Sequence, residues 1–237
     1  MCAVVLGSRG GGRLARALAS VAWAGERVVL DPANRLAVEE LPAGVRRQRG
    51  RRPADVTRAP WLLLLDEDET VPPALAAAVA EAIRAGASCA AYRVAQEVNA
   101  LGARLRPRRD SVRLARRDGA RLTLGRGLVP ALSASGTPGK LPGALEKAGA
   151  ASLGEAVDDL DAHASMLAAL LDDAGARPGI CLSVMAFLLA GGRMLSARGP
   201  APRRWSRWSL ALLAGYRCIV AYAKLWELRW TSGGAAS

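Results

Sequence analysis

Trp61-Leu-Leu-Leu-Leu-Asp-Glu-Asp-Glu69 is the stretch on which the reading of this chain turns. Its five large apolar residues leave no polar face, as in a strand buried centrally in a sheet covered by helices on both sides. At Asp66 the run changes abruptly into four acidic residues. They sit at the C-terminal end of the strand, where open α/β sheets bind ligands. Beyond them Thr70 reads as a helix N-cap, with Pro72 and Pro73 in the first turn. Leu75, Val79 and Ile83 then form the stripe of a helix that stops at Gly86.

Outward toward the N-terminus, Ala3-Val-Val-Leu6 reads as a short buried strand. It enters the turn-forming Gly7-Ser-Arg-Gly-Gly-Gly12, and a helix with Leu14, Leu18 and Val21 at helical spacing follows. Arg27-Val-Val-Leu30 is a second strand, ending at Asp31. A short helix near Leu36–Leu41 and a basic stretch (Arg46, Arg47, Arg49, Arg51, Arg52) come next. On the C-terminal side Ala91–Val98 alternates as a strand does, and an arginine cluster between Arg104 and Arg126 is broken by Asp110 and Asp118. Ser135–Gly149, rich in Gly, Pro and Ser, reads as a linker. Ser152 and Glu155 form a capping box for a helix with Leu153, Val157, Leu160, Ala164 and Leu167 on one face and Asp158, Asp159 and Asp161 away from it. This order predicts a doubly wound α/β fold with a mostly parallel sheet flanked by helices. It divides the chain into an α/β domain over 1–134, a linker over 135–149 and a helical, basic region over 150–237.

Only 4% of the 237 residues are aromatic although 51% are hydrophobic, so the core must be aliphatic. A net charge of +12 implies an anionic partner. Nearly all of that charge is Arg, with Lys only at 140, 147 and 224. The arginines do not alternate with stacking aromatics in the α/β part, which argues against nucleic acid. Cys2, Cys89, Cys181 and Cys218 form no CxxC pair and read as small buried apolar residues. His163, the only histidine, reads as a surface or interface residue. No signal peptide is read at the N-terminus, and Ile180–Ala190 and Leu210–Ala223 are too short, or broken by Arg217, to span a bilayer. The tail from Arg193 mixes Arg with Trp205, Trp208, Tyr216, Tyr222, Trp226 and Trp230, the combination a helix needs at an anionic headgroup layer.

Asp66 and Asp68 suit a Mg²⁺ or Mn²⁺ ion bridging to a diphosphate, because hard cations take one or two carboxylates together with phosphate oxygens. Four adjacent acidic groups repel one another, which a cation would relieve. A rival reading starts from Gly10-x-Gly12-x-x-Ala15 with Asp31 further on, which approximates a dinucleotide-binding fingerprint and predicts NAD binding.

Several segments together resemble family-2 glycosyltransferases, specifically the branch that elaborates the lipopolysaccharide core. They are Leu14–Ala24 with Val28-Val-Leu-Asp31, Trp61–Glu69 with its Pro-started helix, Ala91-Tyr-Arg-Val94, Asp110-Ser-Val-Arg-Leu-Ala-Arg-Arg117 and Tyr222-Ala-Lys-Leu-Trp-Glu-Leu228. The resemblance implies a GT-A fold and inverting transfer from a nucleotide sugar to a lipid-linked or lipopolysaccharide acceptor, by a protein peripheral to the cytoplasmic face of the inner membrane. By the same resemblance Asp31 contacts the nucleotide, while Asp66 and Asp68 hold the diphosphate and any metal. Arg113 lies among the arginines that stabilise phosphate charge, and Asp110 is the general base. The chain departs from the family at Ser8-Arg-Gly-Gly11, at Asp31-Pro-Ala-Asn34 and near Leu128-Val-Pro130, where acidic, polar and His-Glu residues are usual. These departures leave a second expectation, a catalytically inactive glycosyltransferase-like protein bound to membrane.

Overall fold

A computed structural model describes residues 1–36, 41–48, 53–55, 57–85, 89–133, 135–200 and 204–233. Most of the helix expected at Leu36–Leu41, together with Arg49, Arg51, Arg52 and Gly86, lies outside the described residues. The first half of the chain contains β1 (Cys2–Leu6), α1 (Gly11–Ser20), β2 (Glu26–Leu30), β3 (Val45–Gln48), β4 (Trp61–Asp66), β5 (Glu69–Thr70) and α2 (Pro73–Arg84). Then come β6 (Ala91–Ala100), β7 (Ala103–Leu105), β8 (Ser111–Arg116), β9 (Arg121–Leu124), β10 (Pro130–Ser133) and β11 (Gly139–Ala148). Three helices finish the chain: α3 (Leu153–Asp173), α4 (Ile180–Leu195) and α5 (Arg204–Gly233).

The main sheet runs β3-β2-β1-β4-β8-β6-β11-β5, with β7 paired to β6, and β9 and β10 form a separate hairpin. As expected, β4 is central and buried along its whole length. The sheet is nonetheless mixed. β3, β2, β1 and β4 are mutually parallel, and so are β6 and β11. β8 runs antiparallel to both β4 and β6, as do β7 to β6 and β5 to β11. The expectation of a mostly parallel sheet is therefore corrected, and chain length supplies the reason. A parallel return needs a crossover of roughly a dozen residues, while β6, β7 and β8 follow one another through short turns. The tightest of these is Leu101-Gly102, where both residues have positive φ.

The linker expected over 135–149 is also corrected, since residues 139–148 form β11, an inner strand between β6 and β5. Its Pro and Gly mark an irregularity rather than an exit from the fold. The register with β6 shifts between Lys140 and Ala144, around Pro142 and Gly143, and Gly143 has a φ of 90°. Nor is Thr70 a cap: it pairs in β5, and Pro72 precedes the first turn of α2.

Period-two alternation sends the two sides of the strands into different cores. Ala3, Val5, Leu63 and Leu65 pack with Leu14 and Leu18 of α1 and with Leu75 and Val79 of α2. Val4, Leu6, Leu62 and Leu64 pack with Leu167 and Leu171 of α3, Ala186 and Ala190 of α4, and Cys218 and Leu225 of α5. Residues 150–233 thus cover the second face of the sheet and share its core. Burying each leucine contributes about 1.5–3 kcal/mol, so the last three helices belong to the folding unit. α3 opens as the capping box predicts, with Ser152 Oγ accepting from the Glu155 N–H at 3.2 Å. Its first turns are rotated from the expected face. Leu153 and Val157 are exposed, while Asp159 turns inward to Arg9 and Arg13.

Candidate functional site

Each of the four acidic residues ending β4 has its own internal partners. Glu67 is buried and faces the turn after β1. Its Oε2 accepts the backbone N–H groups of Ser8, Arg9 and Gly10 at 2.8, 3.0 and 3.2 Å, and its Oε1 accepts the Ser8 hydroxyl. Positive φ at Gly10 and Gly11 turns the chain so that these amides converge at the head of α1. An anion at a helix start is favourable, and here the protein supplies that anion itself. Glu69 is fully buried. It accepts from Arg113 Nη2 at 2.8 Å, from the Gln96 side-chain amide and from the Asp66 N–H at 2.9 Å.

Asp66 and Asp68 come together as expected, joined by Lys147 of β11. The Lys147 Nζ lies 3.1 Å from Asp66 Oδ2 and 2.7 Å from Asp68 Oδ1. Arg113 Nη1 stands 3.7 Å from Asp66 Oδ1, and among the described residues neither of these buried atoms has a hydrogen-bond partner. The electrostatics follow from this packing. Burial by itself would raise the Asp66 carboxyl, but Lys147 and Arg113 outweigh it and hold the group well below the usual carboxylate range. Burial pushes Glu69 up to about 7, with Asp66 adding to the rise and Arg113 opposing it. Burial disfavours the Lys147 charge, yet Asp68, Asp66 and Glu69 together bind its proton more tightly than in free lysine.

Asp66, Asp68 and Lys147 line a cleft of about 170 Å³ between the carboxyl end of β4, β6, β11 and the last three helices. Arg193 and Arg217 enter it from α4 and α5. Arg193 donates to Gln96 Oε1 at 3.3 Å and to the Arg109 carbonyl at 3.2 Å. The buried Arg217 Nε has no hydrogen-bond partner among the described residues. Among the described residues neither guanidinium has a carboxylate within ion-pair distance, so the cleft carries two positive charges without matched anions. Its apolar part includes Leu160, Leu167, Leu210 and Leu213. Arg13, paired with Glu155 and Asp159, ties α1 to α3 beside the opening.

The remaining sequence-predicted residues are placed differently. Arg113 is completely buried beneath Asp66 and Glu69, so it supports the carboxylates rather than facing a ligand. Asp31 is also inaccessible. Its Oδ1 accepts the Arg35 N–H at 3.0 Å, and its Oδ2 accepts the Leu36 N–H at 2.9 Å and Arg47 Nη2 at 2.6 Å. Asp110 precedes β8 and pairs with the exposed Lys140 at 2.9 Å. It lies next to Arg109, whose carbonyl holds Arg193, and so stands at the rim of the cleft rather than among its lining residues.

Two cleft residues were missed in the sequence. Lys147 falls in the stretch that reads as a linker, although three lysines among so many arginines is a signal in itself. His163, which reads from the sequence as a surface or interface residue, lines the cleft with its Nε2 3.9 Å from Asp68 Oδ2. Its Nδ1 lies 2.9 Å from the Asp159 carbonyl, which can only accept, so Nδ1 donates and Nε2 is the nitrogen turned toward Asp68.

A divalent ion chelated by Asp66 and Asp68 would need their oxygens about 2.0–2.2 Å away and free of other cations. The Lys147 ammonium already bridges those two carboxylates, so in this arrangement the residues do not fit a resident dication. The dinucleotide reading meets a similar obstacle, because Glu67 takes the turn amides that a pyrophosphate would use. No family model matches the chain, and no curated protein does.

Proposed function

We propose that the chain is an inverting glycosyltransferase of family-2 type, with a GT-A-like sheet, that moves a sugar from a nucleotide-sugar donor to a lipid-linked or lipopolysaccharide-core acceptor. The observation that carries this reading is the Asp66–Lys147–Asp68 bridge at the carboxyl end of the central strand, with Arg193 and Arg217 in the same cleft. Guanidinium and ammonium groups in a partly apolar cleft bind phosphate oxygens and stabilise the charge that develops on a diphosphate leaving group. Direct displacement also needs a base on the opposite side of the sugar. Asp110, paired with Lys140 at the rim, takes that role in this reading. The test is thermal denaturation with a panel of nucleoside diphosphates. One of them, at a hundredfold excess over Kd, is expected to raise Tm by about 5–10 °C. The shift should vanish in the Arg193→Ala/Arg217→Ala variant, which removes both guanidinium groups from the cleft. A shift that survives in the variant sinks the assignment of the site.

A second reading, a catalytically silent relative that binds without turnover, is favoured by two observations. Asp31 is closed off by Arg47, and a cleft of about 170 Å³ is below the roughly 300 Å³ usual for ligand pockets. Nucleotide binding with no sugar transfer or donor hydrolysis would select it.

The same proposal places the protein on an anionic membrane surface at the cytoplasmic face. Among the described residues no helix is long and apolar enough to cross a membrane. However, α4 and α5 expose Ile180 (84%), Leu188, Trp205 (80%), Trp208 and Trp230 beside arginines. Aromatic and aliphatic side chains inserting at headgroup depth, flanked by positive charge, match an interfacial helix. Sedimentation with vesicles rich in anionic lipid is expected to pellet the protein in a salt-sensitive way. Trp205→Ala/Trp208→Ala should weaken this about tenfold. Equal recovery with purely zwitterionic vesicles would remove the electrostatic half of the argument.

A further inference from the structure

We infer that Lys147 is the resident counter-cation of the acidic pair, so that the site binds a diphosphate without a divalent metal. This rests on the nucleotide-binding reading above for its ligand, but not for its geometry. The Nζ sits between Asp66 Oδ2 at 3.1 Å and Asp68 Oδ1 at 2.7 Å, the position from which a chelated ion would reach both carboxylates. It is held there by the backbone as well as by charge. β11 is an inner strand, Lys147 pairs with Glu69 across to β5 and with Val98 across to β6, and the neighbouring Ala148 N–H donates to the Asp68 carbonyl at 2.8 Å. The backbones of Lys147 and Asp68 are therefore fixed side by side by ladder contacts, and the two ion pairs hold the ammonium between Asp68 and Asp66.

The donor count supports the same role. An ammonium has three N–H groups; two point to Asp66 and Asp68, and the third is left for a phosphate oxygen in the cleft that Lys147 lines. A dication would bring two positive charges where lysine brings one. Arg193 and Arg217, which line the same cleft without ion-pair partners among the described residues, supply the remaining positive charge. A metal entering this site would have to displace an ammonium bound to two carboxylates. Bound diphosphate, in contrast, adds an acceptor to an arrangement already built.

The experiment is Mn²⁺ titration of the full chain, followed by electron paramagnetic resonance, for the wild type, Lys147→Ala and Lys147→Gln. Binding of uridine and guanosine diphosphates is measured on the same samples with Mn²⁺ or with chelator. The wild type is expected to show no Mn²⁺ binding that depends on Asp66. Removing the ammonium frees two adjacent carboxylates, so both variants should bind Mn²⁺ at least about tenfold more tightly than the wild type. Adding Asp66→Asn to either should abolish this gain. Nucleoside diphosphate binding by the wild type should be indifferent to chelator, whereas in the variants it should fall and be restored by Mn²⁺. Asp66-dependent Mn²⁺ binding by the wild type overturns the inference, as does failure of both folded variants to gain it. If no nucleotide binds under any condition, the functional reading fails while the Mn²⁺ comparison still decides the role of Lys147. If Lys147→Ala does not fold, Lys147→Gln, which keeps most of the side chain without the charge, and the wild-type titration still give the answer.

Discussion

Glu67→Ala is expected to lower the stability of the fold by about 3–5 kcal/mol, although Glu67 has no role in the chemistry proposed above. Its carboxylate is the shared acceptor for three backbone N–H groups and the Ser8 hydroxyl, all in the turn that launches α1. Each buried donor left without a partner costs about 1–3 kcal/mol. Solvent reaches Arg9 and Gly10 more easily than Ser8, so the total falls below the simple sum. In a chain of this size about 2–4 °C of Tm follows each kcal/mol, giving a loss of about 10 °C. Glu67→Gln retains one acceptor oxygen without the charge and should recover part of the loss. Urea unfolding of the three proteins measures the effect, and a loss under about 1 kcal/mol for Glu67→Ala would mean that the turn is held by other contacts.

Arg113→Leu is the second large effect, expected at about 3–5 kcal/mol. The guanidinium is fully buried between Glu69 and Asp66, and removing one member of a buried pair strands the other charge. The cost should depend on pH. Glu69, held at about 7, favours the folded state most in its neutral form. That contribution is full below its unfolded value of 4.5 and is lost as pH rises through the folded value. Arg113 limits the rise, so without it the folded value climbs further and more stability is lost at high pH. The deficit of Arg113→Leu relative to the wild type should therefore grow from pH 5 to pH 8, by no more than about 1.4 kcal/mol per pH unit for one proton. A deficit that is flat or shrinks over that range would show that Glu69 does not carry the effect. Arg113→Lys is not expected to restore stability, because a single ammonium does not reproduce the planar fork reaching two carboxylates.

These two variants also separate what the chain shows locally from what its folding adds. The buried β4, the α1 and α2 stripes, the Ser152–Glu155 cap and the acidic turn were legible because each is written within a few consecutive residues. Hydrophobic period and capping chemistry are local properties. The direction of β8 and the strand identity of 139–148 were not legible. A strand's orientation depends on how short its connection is, and Pro142-Gly143 within a strand reads like a linker until its neighbours are known.

The candidate site shows the same boundary most sharply. The sequence by itself determined that Asp66 and Asp68 stand together at the end of a central strand, and that four carboxylates in succession need positive partners. Only the tertiary structure decided which partners those are. Arg113 reaches Glu69 across 44 residues of chain, Lys147 reaches Asp66 across 81, and Glu67 reaches back 59 to Ser8. Coulomb attraction and hydrogen bonding depend on distance in space and on shielding from water, not on separation along the chain. The charge that neutralises this turn could therefore be identified only after β11 was seen lying between β6 and β5.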